Sequence, residues 1–68
     1  MNEEQFNLDM RKFLKRFGVS AQRAIEEAVR KGIESGRLTG NETFKARARL
    51  EIEGADVDLV IEEDLHLA

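Results

Sequence analysis

Phe6, Met10, Phe13, Leu14 and Phe17 recur at steps of 4, 3, 1 and 3 residues. That is one face of a helix of period 3.6. Asn2 stands where an N-cap belongs, and Gln5, three residues on, is placed to reach back as in a capping box. Glu3 and Glu4 fall in the first turn, and Arg11, Lys12, Lys15 and Arg16 fall towards the far end, each the favourable sign for the helix dipole. Gly18 offers a left-handed stop. The pattern predicts a helix over about 3–17, with Leu8 off the stripe and exposed.

A second helix over about 20–35 is predicted from Ser20 as N-cap, with Val19 stapled onto Ala24. Its inner face is Ala21, Ala24, Ile25, Ala28, Val29 and Gly32, small enough for the first helix to approach and insert its Phe side chains. Glu26 with Arg30 and Glu27 with Lys31 are (i, i+4) pairs in the better order, each contributing ~0.3–0.5 kcal/mol. Gly36 ends the helix. The Gly18-Val19 break then implies a helical hairpin or a corner.

The clearest strand signal runs over 43–53, where Phe44, Ala46, Ala48, Leu50 and Ile52 alternate with polar residues. After Gly54, the residues Val57, Leu59, Ile61, Leu65 and Leu67 share one parity over 57–67, interrupted by Glu63. A two-residue Gly54-Ala55 turn of type II′ would set the register. Ile52 would face Val57, Leu50 face Leu59, Ala48 face Ile61 and Phe44 face Leu65. On the other face Arg47 would meet Glu62 and Lys45 would meet Asp64. Glu63 opposite Ala46 is the weak point, and implies either a bulge or a late turn at 62–64. The expected fold class is α+β, a single ααββ domain over 1–68. Two N-terminal helices would pack on one face of a C-terminal antiparallel hairpin.

Composition narrows the function. The chain has 68 residues, no Cys, no Pro, no Trp, no Tyr and one His. A chain of this size buries only roughly 60% of the surface it exposes when unfolded. Without Cys there are no disulfides, thiolate ligands or Cys nucleophiles, and a single His removes His-pair metal sites. No apolar run approaches the ~18 residues of a membrane span, and the acidic start does not resemble a signal peptide. A cytoplasmic protein is the expectation. The net charge is −3, but residues 1–50 carry +4 and residues 51–68 carry −7. Because basic residues in one strand pattern would face acidic ones in the next, cross-strand neutralisation is the expected reason.

Each candidate for chemistry has a plainer reading. Gly18-Val19-Ser20 between two amphipathic helices resembles a helix-turn-helix, but Glu26 and Glu27 on the second helix repel phosphate. Lys45, Arg47 and Arg49 form a basic stripe on the outer sheet face and are the candidate binding residues, with Val60 as an apolar residue among charges. A single-strand platform there would need an aromatic residue, and Phe44 has the opposite parity. His66 reads as exposed. Glu62, Glu63 and Asp64 resemble a carboxylate cluster, yet neighbours in a strand point to opposite faces. Asn41-Glu42-Thr43 matches a glycosylation sequon, which matters only for a secreted chain. No catalytic set, cofactor, metal or small-molecule site can be assembled, so an enzyme is not expected.

The opening Met-Asn-Glu-Glu-Gln-Phe-Asn-Leu-Asp-Met-Arg-Lys-Phe-Leu-Lys-Arg-Phe-Gly-Val-Ser, and Gly40-Asn41-Glu42-Thr43 before the alternating strand, resemble a small proteobacterial family of short proteins of unknown function. The resemblance spans nearly the whole chain. It implies a stand-alone bacterial protein and supplies no functional residues. Members often carry Gly near position 63 or 64, where this chain has Glu63-Asp64. The expectation is therefore a protein-interaction or accessory module that binds an unidentified protein, or itself through open sheet edges. A nucleic-acid-binding module is the disfavoured alternative.

Overall fold

A computed structural model describes residues 1–68 as one helix followed by two strands. These are α1 (Glu3–Glu34), β1 (Thr43–Glu51) and β2 (Asp58–His66). The chain divides into two units, Met1–Arg37 and Leu38–Ala68. The fold class is α+β, with one helix where two were expected.

The first unit is a single 32-residue helix, about 48 Å long at 1.5 Å per residue. Asn2 caps it as expected, accepting the Gln5 backbone N–H at 3.1 Å. Gln5 does not reach back. Its side-chain amide instead donates to Asp9 one turn on, at 2.9 Å. The far end closes at Ser35 and Gly36. Gly36 takes φ +80 and donates its N–H to the Ile33 carbonyl at 3.1 Å, while the Ser35 N–H goes to Lys31 at 3.0 Å. Ser35 Oγ adds a bond to the Gly32 carbonyl at 3.1 Å. These contacts satisfy carbonyls that the last turn leaves without partners.

The expected break at Gly18 does not occur. Gly18 lies inside α1 and is not among the glycines with positive φ. Two physical terms decide this. A Gly within a helix costs about 1 kcal/mol relative to Ala. Ending one helix and starting another would orphan up to four carbonyls and four N–H groups. The apolar stripe also keeps phase through the Gly, because Phe17, Ala21, Ala24 and Ala28 continue the spacing of Phe6, Met10, Phe13 and Phe17. Nothing in the pattern required a turn. Of the two expected ion pairs, Lys31–Glu27 forms at 3.1 Å, whereas Glu26 instead accepts from Gln22 at 2.9 Å.

In the second unit, β1 and β2 form a two-stranded antiparallel sheet. The register is the expected one: Phe44 faces Leu65, Ala48 faces Ile61, Leu50 faces Leu59 and Arg47 faces Glu62. A further bond, Leu67 N–H to the Glu42 carbonyl at 3.0 Å, extends the ladder beyond the strand ends. Pairing runs one to one through Glu63 and Ala46, with neither a bulge nor a late turn at 62–64. Ala46 is small and Glu63 is exposed, so the carboxylate reaches water without breaking the ladder. Phe44, Ala46, Leu50 and Leu65 are half-buried on this face.

The connecting turn is displaced from its expected place. Ala55 N–H donates to the Ile52 carbonyl at 3.3 Å, so Glu53 and Gly54 are the central residues. Gly54 has φ +85 and occupies the second central position, which type II turns reserve for a residue of positive φ. The type II′ turn with Gly first is therefore corrected. Val57 N–H then closes onto the Ala55 carbonyl at 3.0 Å, and this tight second turn returns the chain to the same register.

Two alanine substitutions test these backbone assignments. A Cβ at Gly18 meets nothing within 4 Å, so Gly18→Ala is expected to stabilise the protein by about 1 kcal/mol in urea unfolding. If the chain turned at Gly18, the sign would reverse. Gly54→Ala, forced to a positive φ, is expected to destabilise by a similar amount.

Candidate interaction surfaces

The helix carries the largest set of exposed apolar side chains. No hydrophobic residue is buried anywhere. Phe6 and Phe13 are each 54% exposed, Phe17 52%, Leu14 50% and Met10 40%. Large side chains at this exposure leave on the order of 500 Å² of apolar surface together. That is near the top of the ~300–600 Å² found for the largest patch on a typical monomer. Periodicity puts all five on one face, and Ala21, Ala24, Ala28 and Gly32 prolong it in phase. The stripe is thus bulky in its N-terminal half and, along its centre between the flanking Ile25 and Val29, small in its C-terminal half. Leu8, expected off the stripe, is exposed.

The outer face of the hairpin brings together all four candidate binding residues, Lys45, Arg47, Arg49 and Val60. Strand alternation places them with Thr43, Glu62, Asp64 and His66. Arg47 Nε lies 3.5 Å from Glu62, the expected pair. Lys45 reaches the same Glu62 diagonally, at 3.9 Å, instead of Asp64. Arg49 faces Val60 in the register and reaches along the face to Asp58, with Nε–Oδ1 at 3.1 Å and Nη2–Oδ2 at 3.3 Å. It also lies 3.2 Å from Glu51. Diagonal neighbours in a sheet are within reach of long side chains. These pairs are exposed, so each contributes only ~0–1 kcal/mol. Their effect is to occupy the cations with carboxylates of the same hairpin. Val60 remains 46% exposed among them.

His66 Nδ1 lies 3.1 Å from Thr43 Oγ1 across the sheet. Glu62 and Asp64 share the outer face and Glu63 points to the other, so the three carboxylates do not converge. Each strand has one neighbour only, which leaves both outer edges with unpaired backbone groups.

One residue at 38–42 escaped sequence reasoning. The Glu42 carboxylate accepts Thr39 N–H at 2.8 Å, Gly40 N–H at 3.0 Å and Thr39 Oγ1 at 3.3 Å. The Thr39 backbone bond is the foremost cause that holds its carboxyl below the ordinary value. The Thr-x-x-Glu spacing was visible in the sequence. It is the capping-box spacing, used here to close a loop instead of a helix end.

No helix is long and apolar enough to cross a membrane. What fold and surfaces define is a small α+β chain with an exposed apolar face on its amphipathic helix and a hairpin whose three cations are paired with its own carboxylates. The family model described as a family of unknown function (DUF6494) matches residues 1–68, and the chain belongs to that family. No curated protein and no solved structure matches it.

Because Glu42 is held below its ordinary value, its loop contacts are present at neutral pH. They are lost as pH falls through that lowered value. The Thr39 and Gly40 amide resonances should titrate with a midpoint below the usual ~4.3 of Glu. Glu42→Gln should remove that transition from an NMR pH series.

Proposed function

We propose that the protein is a non-catalytic, cytoplasmic interaction module whose contact surface is the apolar face of α1. The observation that carries this reading is the exposure of Phe6, Met10, Phe13, Leu14 and Phe17 on a single face. Contiguous apolar surface of that extent is the usual mark of a protein contact. Aromatic side chains in such a patch are the common energetic anchors. The absence of Cys and the single His, which is engaged with Thr43, favour binding over catalysis.

A nucleic-acid role draws less support. The uninterrupted α1 offers no helix-turn-helix, and Lys45, Arg47 and Arg49 already face carboxylates. Phosphate would have to displace those partners.

The test is recovery of the tagged protein with its bound partners, with and without nuclease, compared with the Phe13→Glu variant. Association should survive nuclease, change little between low and high salt, and be lost in Phe13→Glu. Recovery that needs nucleic acid, falls steeply with salt and drops in Arg47→Glu while persisting in Phe13→Glu would overturn the reading.

A further inference from the structure

The stripe of α1 has a size pattern that selects its own occupant. Read as heptads, Leu14, Ala21 and Ala28 fall at one core position and Met10, Phe17 and Ala24 at the other. If two such helices lie antiparallel with their two-fold axis at Val19, the levels match large with small. Phe17 meets Ala21, Leu14 meets Ala24 and Met10 meets Ala28. Symmetry repeats each layer, giving six. A parallel pair would instead set Phe against Phe at one end and Ala against Ala at the other, crowding one and leaving a void in the other.

We propose that the helix stripe is covered by the same stripe of a second copy of this chain, in an antiparallel helix pair centred near Val19. This rests on the interaction reading above and names its partner.

The helix axes and the buried area agree with it. The helix dipoles run in opposite directions, the better arrangement for neighbouring helices. Covering about 600 Å² on each copy, including the alanine surface, removes about 1,200 Å² in all, the lower end of the range for stable specific interfaces. Phe13 and Ile25 flank the seam on opposite sides of each helix, where they widen the apolar contact.

The experiment combines mass measurement with a core swap and cross-linking. By sedimentation equilibrium the protein should be a dimer of 7.8 kDa chains. Leu14→Ala opens a void and Ala24→Leu overfills a layer, so each should weaken dimerisation by about tenfold or more. The double variant Leu14→Ala/Ala24→Leu exchanges the two sides of the layer and should restore it. The chain has no cysteine, so introduced thiols report cleanly. Gly18→Cys should cross-link to itself. Arg11→Cys and Ile25→Cys should cross-link when mixed and not alone. A monomer, a swap that fails to restore, or self-cross-linking by Arg11→Cys would overturn the proposal. If Phe13→Glu then still abolishes association with another protein, the interaction reading stands and the second copy is the wrong partner. If Phe13→Glu changes nothing, both fall.

Discussion

The backbone hydrogen-bond ladder through Gly18 is the constraint on which the other features depend. A helix that stopped there would leave two sets of terminal N–H and C=O groups to be satisfied by caps or water. Running on costs only the conformational freedom of one Gly, about 1 kcal/mol. Once α1 is continuous, Phe6 and Gly32 lie on one face, separated by about 39 Å along the helix axis. A helical hairpin would have brought the bulky and small halves of that face together within the chain. A straight helix keeps them apart. The large–small pattern is present in both cases, but a continuous helix cannot realise it within itself. This is why the proposed partner is a second copy in antiparallel orientation.

The hairpin obeys a different logic. Its register is specified twice, once by the apolar residues of one face and once by the charges of the other. A slip by one residue would invert both faces together. That redundancy explains why the register survives a turn that sits elsewhere than expected. Gly54 takes its positive φ at the second central position, and the extra turn at Ala55–Val57 absorbs the difference. The ion pairs of the outer face are too exposed to hold the sheet together. Their consequence is electrostatic, since they keep the hairpin from presenting a free cationic face.

Much of this was readable from residue order, and the failures are specific. The Asn2 cap, the Gly36 stop and the register from Phe44–Leu65 to Leu50–Leu59 depend on neighbours a few residues apart or on strict alternation, and local geometry settles such features. The expected Ile52–Val57 pair, by contrast, lies beyond the strand ends, where the turn begins. The Arg47–Glu62 pair followed from parity. Lys45 choosing Glu62 over Asp64 did not, because two carboxylates lie within its reach and the backbone geometry decides between them. Glu42 was not legible because a Thr-x-x-Glu spacing signals a helix start, and here it closes a loop that leads into a strand.

By itself, then, the sequence determined one amphipathic helical face, an alternating two-strand pattern and its register, because periodicity of 3.6 or 2 leaves little freedom once a face must be apolar. Only the three-dimensional structure decided that Gly18 is spanned, that the turn centres on Glu53-Gly54 and that Glu42 gathers the amides of its loop. In each of those places a Gly or a short polar segment is compatible with more than one backbone path. The choice among paths is made by the total of hydrogen bonds satisfied, a sum over neighbours in space that a local pattern does not contain.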